Sequence, residues 1–184
     1  DTLWLVPSTA DLAGAEVELV SAERREWHLH DALSEVRGRY DYILVDCPPS
    51  LGLLTLNALV AADGVLVPMQ CEYFALEGLS YLLSTLDKVR GLWNPGLELE
   101  GILLTMVDTR TSLMQQVESE VRGHFGPKVY RTLVPRNIRL SEAPSHGLPI
   151  MKYDPASRGS YAYGQLAKEF LEQRRAAANM PTET

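Results

Sequence analysis

A short apolar run that ends in a carboxylate and a forced turn constrains the fold of this chain more than any other feature. The run Tyr42 to Val45 is followed by Asp46 and then by Pro48-Pro49, which cannot continue a central strand. Because the run is apolar on both faces, it predicts a buried strand of a parallel sheet. An ionised group at the carboxyl end of such a strand lies in the crevice where open α/β sheets bind ligands.

Two interpretations of Asp46 follow from this position. P-loop nucleotide hydrolases present their Walker B carboxylate, which holds Mg²⁺ and usually does so through water, at the end of such a strand. Alternatively, Asp46 is an ordinary strand-end residue that caps a helix beginning near Leu51. The phosphate-binding loop G-x-x-x-x-G-K-[ST] does not occur in the 184 residues, because none of the 13 glycines is followed by lysine. The chain also begins at Asp1, so we expect it to be the C-terminal part of a longer protein.

Short apolar runs alternate with longer segments of helical period along the rest of the sequence, which predicts βα units around a parallel sheet. The predicted strands are Leu3 to Val6, Tyr42 to Asp46, Gly64 to Pro68, Leu99 to Met106 and Val129 to Val134. The fold class is therefore predicted as α/β, with a doubly wound, mostly parallel sheet and helices on both faces.

Apolar residues spaced three and four apart predict three long helices. The stripes are Leu76, Leu79, Leu83 and Leu86 in the first helix, Leu113, Val117, Val121 and Phe125 in the second, and Tyr163, Leu166, Ala167 and Phe170 in the third. Gly126-Pro127 ends the second helix, and Ser157 is the predicted N-cap of the third. We expect one domain over residues 1–173 and a flexible tail over residues 174–184.

Charge is distributed unevenly along the chain. The net charge is −7, yet residues 128–158 carry six Lys and Arg against two acidic residues, whereas residues 1–127 carry 8 against 19. One basic segment can contact nucleic-acid phosphates if the acidic faces point elsewhere. Cys47 and Cys71 lie in segments predicted to be buried and form no C-x-x-C pair, which favours reduced core thiols in a cytoplasmic protein. The longest apolar runs are far shorter than the roughly 20 residues that span a bilayer.

Five longer motifs together carry a resemblance to a known family. They are Tyr42 to Gly52, Pro68 to Gly78, Leu103 to Thr111, Val134 to Ile150 and Tyr153 to Gly159. The motifs are spread in order over nearly the whole chain, and in them the sequence resembles the ParA/Soj family of chromosome and plasmid partition ATPases.

The resemblance implies roles for individual residues. Asp46 would be the Walker B carboxylate that holds Mg²⁺ through a coordinated water. The switch that senses the γ-phosphate of ATP would contain Pro48, Pro49, Ser50 and Gly52. The loop Pro135, Arg136 and Asn137 would lie against the adenine, and Arg110 and Arg139 would contact DNA.

The same resemblance implies cofactors and partners. In this family ATP with Mg²⁺ closes a homodimer, the dimer binds double-stranded DNA without sequence preference, and a ParB-like centromere-binding protein stimulates hydrolysis. The expected location is the cytoplasm, on the nucleoid and without membrane contact. Because the phosphate-binding loop and its lysine are not in the sequence, the catalytic set is incomplete, and we predict that this chain alone neither binds nor cleaves ATP.

Two further functions stay open at this point. One is a non-catalytic module that contacts DNA or a protein partner without turnover. The other is a MinD-like regulator of cell division. The sequence after the strand argues against the second, because MinD-like proteins usually continue with Pro-Ala-Gly where this chain has Pro49-Ser50-Leu51.

Overall fold

The computed structural model describes residues 3–178. Its helices are α1 Leu12–Glu18, α2 His28–Ser34, α3 Leu53–Ala61, α4 Ala75–Leu92, α5 Ser112–Phe125, α6 Ile138–Glu142, α7 Ile150–Tyr153 and α8 Arg158–Ala178, and its strands are β1 Gly64–Gln70 and β2 Glu98–Thr105. Among the described residues, no helix combines the length and the apolar character that crossing a lipid bilayer requires.

The two strands pair side by side and run in the same direction. Near their starts, the Glu98 N–H donates to the Asp63 carbonyl at 3.1 Å. Near their ends, the Thr105 hydroxyl donates to the Met69 carbonyl at 3.4 Å. The strands predicted over residues 64–68 and 99–106 are therefore confirmed, and they form the parallel arrangement that the sequence indicates.

Residues 129–135 lie beside β2 but do not form a continuous strand. Two isolated parallel bridges hold them, from Val129 to Ile102 in β2 and from Pro135 to Val107 just after it. The Tyr130 N–H donates to the Ile102 carbonyl at 2.9 Å, and the Val134 N–H donates to the Leu104 carbonyl at 3.0 Å. Between these bonds β2 advances by two residues and its neighbour by four, whereas a regular ladder keeps the two advances equal. A two-residue bulge therefore interrupts the strand predicted here.

Residues 1–65 and 82–98 form one of two compact units. Its core contains Leu59, Val60, Leu86, Val89 and Leu97, with Trp27 and Trp93 packed against it. The buried side chain of Asn57 donates to the Arg25 carbonyl at 2.8 Å and accepts from the Leu29 N–H at 3.1 Å, which fixes the start of α2 against α3. The Asn94 amide donates to three carbonyls at the end of α3, those of Leu59, Val60 and Ala62.

Residues 66–81 and 99–184 form the second unit. Its core contains Leu103, Tyr130, Val134 and Ala162, with Leu66, Leu140, Leu166 and Phe170 packed against it. The Tyr130 ring lies directly on the backbone of Gly101, where an added Cβ would lie 2.5 Å from the ring. Glycine at this position therefore lets the aromatic ring reach the sheet.

The predicted strands Leu3 to Val6 and Tyr42 to Asp46 are wrong. Both segments are irregular and pair with no strand among the described residues, and Leu44 is 87% exposed. Backbone N–H and C=O groups form a strand only where a neighbouring strand pairs with them, and neither segment belongs to the sheet formed by the described strands. Cys47, predicted to be buried, is consequently exposed, and Cys71 is half-buried.

The three helices predicted from apolar spacing are confirmed as α4, α5 and α8, although the buried face of two of them differs. In α5 the buried residue of the first turn is Met114, and Leu113 is 40% exposed. In α8 Ala162 and Glu169 are buried, where the spacing predicts Tyr163 and Ala167.

Both predicted helix boundaries hold. The C-cap of α5 is Gly126, at a φ of 49° that favours glycine. Ser157 precedes α8 and accepts from the Ser160 N–H at 3.1 Å, as an N-cap does. α8 continues to Ala178. Residues 179–184 lie outside the described residues, and the domain boundary at residue 173 stays a prediction.

Candidate functional site

The first candidate region is residues 46–52, hereafter the switch segment, which precedes α3 in the first unit. Asp46 at its start is exposed. The N-cap of α3 is Gly52, and no side chain bonds to this helix start. The interpretation of Asp46 as a helix cap is therefore wrong, because α3 begins at Leu53 and its N-cap, Gly52, lies six residues after Asp46.

The second half of the switch segment is fixed on α3. The buried hydroxyl of Thr55 donates to the Ser50 carbonyl at 2.6 Å, and the Leu56 N–H donates to the Gly52 carbonyl at 3.0 Å. The carboxylate of Glu16 lies against Gly52, whose missing side chain leaves room for it. Pro48 and Pro49, in contrast, are exposed, so the segment has an anchored end and an exposed end.

The pKa of the Cys47 thiol depends in part on the charge of its neighbour Asp46. Although the residue as a whole is exposed, partial desolvation of the sulfur raises the pKa of the Cys47 thiol, and the Asp46 carboxylate raises it further. The thiol is thus held in its neutral form near neutral pH, which argues against a role as a nucleophile.

The donor set at Asp46 fits magnesium better than other metals. In the described residues no three His, Cys, Asp or Glu side chains converge to hold an ion. Mg²⁺ differs from metals that need such a cage, because it keeps several waters and is held by one or two carboxylates together with substrate phosphates. A single exposed carboxylate at the end of an extended segment suits that mode of binding.

The second candidate region lies at the carboxyl end of β2, in the second unit. Met106 follows the strand with a φ of 53°, in the left-handed region that a methionine seldom adopts. The chain then continues parallel to residues 134–136, because the Val107 N–H donates to the Val134 carbonyl at 3.1 Å and Val107 forms a parallel bridge with Pro135. This pairing brings Asp108 and Arg110 near Pro135 and Arg136.

Arg110, a predicted DNA contact, is 86% exposed at its side chain and forms a bidentate pair with Asp108. The Nε to Oδ1 distance is 2.8 Å and the Nη2 to Oδ2 distance is 2.6 Å. The hydrogen bonds from the Arg110 side chain and backbone lower the pKa of Asp108 to about 2. The aspartate therefore orients the guanidinium while leaving it open to solvent.

Arg139, the other predicted DNA contact, lies on α6 and is held in a similar way. Its Nη1 is 2.8 Å from Oε2 of Glu142, and its Nε is 3.5 Å from Oδ2 of Asp154. The Tyr153 hydroxyl also donates to Glu142 at 3.1 Å. Both predicted arginines are thus exposed cations with fixed orientation, each paired with at least one carboxylate.

The predicted adenine loop, residues 135–137, continues the segment beside β2. The Arg136 N–H donates to the Val107 carbonyl at 3.1 Å, which holds the loop on the end of the sheet. Asn137 is the N-cap of α6, and its Oδ1 accepts from the Arg139 N–H at 2.9 Å. The side-chain oxygen of Asn137 is therefore already hydrogen-bonded, whereas its side-chain amide nitrogen can donate to a ligand.

A cleft of about 1290 Å³ opens beside this loop, within the second unit. Its lining holds five basic side chains and three acidic ones, namely Arg110, Arg131, Arg136, Arg158 and Lys168 against Asp108, Glu169 and Glu172. It brings the predicted residues Arg110 and Arg136 together, whereas Arg139 does not line it.

Three residues of this region were missed by sequence reasoning. Arg158 and Lys168 line the cleft from α8, and Glu169 is a buried carboxylate on the same helix. Arg158 belongs to the basic segment recognised from charge counting, so a signal for it existed. Glu169 gives a weaker signal, a carboxylate three residues after Leu166 on the face that packs into the core.

The sequence of this chain matches a family profile and several curated proteins. A family profile described as an AAA domain matches residues 1–99. The chromosome partitioning protein ParA of Myxococcus xanthus is 57% identical over 171 residues, which are 93% of this chain and 60% of that protein. The sporulation initiation inhibitor protein Soj of Bacillus subtilis is 58% identical over 169 residues, which are 92% of this chain and 67% of that protein. The chain thus spans about three fifths to two thirds of the length of these relatives.

A solved structure shares the fold. The crystal structure of cobyrinic acid a,c-diamide synthase from Mycobacterium smegmatis, with a bound ATP analogue and magnesium, superposes with a TM-score of 0.76 at 36% identity. The match covers 97% of this chain and 66% of that protein. The predicted α/β fold class is confirmed, and the identity to curated relatives over more than nine tenths of the chain shows that it belongs to the ParA/Soj family of chromosome-partitioning proteins.

Proposed function

We propose that this protein is the ATPase of a partition system and that it uses ATP and Mg²⁺ to control DNA binding. The observation that supports this most is the 58% identity to Soj over 92% of the chain, a match that extends across Asp46, the proline pair and the basic strand-end loops. The first unit supplies the metal carboxylate and the switch segment, and the second supplies a basic sheet edge.

Asp46 would hold Mg²⁺ through coordinated water. When bound, the ion would neutralise negative charge on the phosphates of ATP. Asp46 suits this role because it is exposed and free of any capping bond to α3. Pro48, Pro49, Ser50 and Gly52 would transmit the presence of the γ-phosphate, since the Ser50 and Gly52 carbonyls connect the segment directly to α3.

The loop of Pro135, Arg136 and Asn137 would lie against the adenine. Its backbone is fixed by the bond from Arg136 to Val107 and by the cap that Asn137 gives to α6. A loop held at both ends can present its remaining polar groups to a base without first being ordered, and this lowers the cost of binding.

Arg110 and Arg139 would contact DNA phosphates in an ATP-bound homodimer. Each guanidinium is exposed and oriented by a carboxylate, so phosphate oxygens can reach its free N–H groups. Such contacts carry no sequence information, which agrees with binding to DNA of any sequence. A ParB-like protein would be the partner that stimulates hydrolysis, and the nucleoid would be the place of action.

The nucleotide proposal is tested by extending the reading frame upstream of the Asp1 codon and assaying the full-length product. We expect a G-x-x-x-x-G-K-[ST] loop in the added residues and Mg²⁺-dependent ATP hydrolysis. Asp46→Asn should lower the hydrolysis rate by about a hundredfold or more, because the metal loses its protein anchor. The matched control is Asp41→Asn, an exposed aspartate five residues earlier, which should leave the rate unchanged. Equal rates in both variants would refute the role of Asp46.

The DNA proposal is tested by the salt dependence of binding in the full-length protein with ATP. Arg110→Ala and Arg139→Ala should each weaken binding to all sequences alike and reduce the slope of log K against log salt by about one. Arg37→Ala is the control, because Arg37 is a surface arginine paired with Asp63 in the acidic part of the chain. If both test variants keep the wild-type slope, the DNA contacts lie elsewhere.

A second candidate function is a non-catalytic module that contacts DNA or a partner. The 184 residues contain no phosphate-binding loop, but they span only part of the length of their relatives. The two candidates differ in the product of the full reading frame. A product without the loop and without ATP hydrolysis, which still binds DNA, would favour the module. For the 184-residue chain itself we expect no saturable binding of a fluorescent ATP analogue.

A further inference from the structure

The bulge beside β2 leaves backbone donors that the sheet does not satisfy. Between the bonds of Tyr130 to Ile102 and of Val134 to Leu104, the N–H groups of Arg131 and Thr132 point away from the ladder. Buried or half-buried N–H groups without a partner are costly, so a bulge at this place needs acceptors from another element.

Glu169 of α8 supplies these acceptors. Its Oε1 accepts from the Arg131 N–H at 2.7 Å, and its Oε2 accepts from the Thr132 N–H at 2.9 Å and from the Thr132 hydroxyl at 2.7 Å. The Glu169 side chain is only 6% exposed. Both oxygens of one buried carboxylate therefore replace the sheet as the hydrogen-bond partner of the two bulged residues.

The negative charge of the Glu169 carboxylate is also compensated by the Arg131 guanidinium. Arg131 Nε lies 3.4 Å from Oε1 of Glu169. Burial alone would raise the pKa of Glu169, but the hydrogen bonds from Thr132 and Arg131 outweigh it, and the pKa lies below the ordinary value. Glu169 is thus an ionised buried group whose partners are nearly all on the bulge.

Arg122 holds the other side of the bulge. Its Nη2 donates to the Tyr130 carbonyl at 3.1 Å, and its Nε pairs with Glu118 one turn earlier on α5 at 2.8 Å. A cation from α5 and an anion from α8 therefore fix the entry to the bulge. Three residues later the same segment becomes the loop of residues 135–137.

We propose that Glu169 is a positioning residue, which clamps the Arg131-Thr132 bulge and thereby sets the placement of the nucleotide-base loop at residues 135–137. This inference rests on the proposed function, because it assigns the loop to the base of the nucleotide. Bulges commonly re-aim the residues that follow them next to active sites. Removing the clamp would let the two extra residues shift, and the loop, although still bonded to Val107 through Arg136, would be displaced relative to the base.

The test uses Glu169→Gln, which keeps the shape of the side chain and removes its charge, and Glu169→Ala, which removes both oxygens. The matched control is Glu172→Gln, one turn further along α8, because Glu172 lies 3.9 Å from the same Arg131 but is 69% exposed. Two measurements are made, amide hydrogen exchange of residues 131 and 132 in the 184-residue chain, and the ratio of ATP to GTP affinity in the full-length protein.

We expect the amides of residues 131 and 132 to exchange about tenfold faster in Glu169→Gln, and faster again in Glu169→Ala. The ratio of ATP to GTP affinity should fall by about tenfold, because a loop out of place no longer distinguishes the bases. Glu172→Gln should change neither quantity. General destabilisation would speed exchange throughout the chain and would leave the affinity ratio of the folded protein unchanged.

Unchanged exchange at residues 131 and 132 would overturn the clamp. Faster exchange with an unchanged affinity ratio would overturn the positioning role and leave Glu169 as a structural residue. Full-length wild-type protein that binds neither nucleotide would overturn the proposed function itself, and the positioning role with it. Nucleotide binding by the wild-type protein is measured before any variant is made. A failure of the proposed function is therefore distinguishable from a failure of the positioning role of Glu169.

Discussion

The segment 42–46 and strand β2 each contain a short apolar run, Ile43 to Val45 in one and Ile102 to Leu104 in the other, yet only the run in β2 is buried. Both are apolar runs followed by an aspartate, Asp46 in one and Asp108 shortly after the other. Leu104 in β2 is fully buried, with an exposed fraction of 0%, whereas Leu44 is 87% exposed. β2 has β1 on one side and the bridged residues 129–135 on the other, and the segment 42–46 has no strand beside it among residues 3–178.

This difference shows what an apolar β-rich run does and does not specify. Such a run favours an extended backbone and burial on both faces. Burial itself needs neighbouring strands that supply hydrogen bonds and apolar surface, and these are properties of the rest of the chain. The comparison therefore predicts that equal substitutions in the two places have very different effects.

The largest contrast is expected between Leu104→Ala and Leu44→Ala. Leu104→Ala removes a fully buried side chain and should lower the free energy of unfolding by about 2–5 kcal/mol. Leu44→Ala changes an exposed side chain and should lie within about 0.5 kcal/mol of wild type. Urea unfolding of the 184-residue chain, followed by circular dichroism, measures both. Comparable losses in the two variants would mean that the segment 42–46 is buried in solution.

A smaller contrast is expected between two glycines. Gly101→Ala places a Cβ 2.5 Å from the Tyr130 ring and 3.0 Å from the Lys128 carbonyl, and neither can move cheaply, so a loss of about 1–3 kcal/mol is expected. In Gly52→Ala the new atom meets only the mobile end of Glu16, and the loss should stay below about 1 kcal/mol. Thermal unfolding ranks the two. If Gly52→Ala proves the more harmful, the contact of Glu16 with the switch segment is rigid.

The fold was predictable from sequence wherever the signal was local and its partners were present in the chain. The helices α4, α5 and α8 follow from three- and four-residue spacing, and the N-cap at Ser157 follows from its residue type. The bulge at residues 131 and 132 could not be predicted, because it depends on a carboxylate 37 residues away that takes the place of a strand. The sequence of residues 129–134 predicts the same strand with or without such a bulge.

The candidate site was predictable to a similar degree. The strand expected before Asp46 does not form, so Asp46 was selected by its sequence context, and Arg136 was selected through the family resemblance alone. Charge counting located the basic segment that contains Arg139. The pairing of Arg110 with Asp108 was open to prediction from their spacing of two, but its bidentate geometry depends on the turn at Met106. The sequence also gave no sign that the Asn137 side chain caps α6, because asparagine suits both a cap and a ligand contact.

Asp108, the aspartate that follows β2, should respond to the loss of its neighbour Arg110. Arg110→Ala should raise the pKa of Asp108 from about 2 toward its ordinary 3.8, because the guanidinium is the largest cause of the lowering. Since the folded pKa is depressed, the pair stabilises the folded state above the ordinary pKa, and this is lost as the pH falls toward 2. Carboxyl ¹³C NMR titration measures the shift.

Arg136→Ala provides the control for that titration. Arg136 contributes to the pKa of Asp108 only as the smallest of the causes, so the variant should shift the pKa much less than Arg110→Ala does. Equal shifts would mean that the general positive potential of the cleft, and not the bidentate pair, lowers the pKa of Asp108.

The smallest expected effect tests the charge of Asp46 in the exposed segment through its neighbour Cys47. Because the Asp46 carboxylate contributes to raising the pKa of the Cys47 thiol, Asp46→Asn should lower that pKa and increase the thiolate fraction at pH 8. In a Cys71→Ser background, alkylation of Cys47 by iodoacetamide should become about twofold faster at low salt, and the difference should shrink as salt screens the charge. Asp41→Asn should have no such effect. A rate that does not respond to Asp46→Asn at low salt would show that the Asp46 carboxylate lies too far from the sulfur to raise the pKa of the Cys47 thiol.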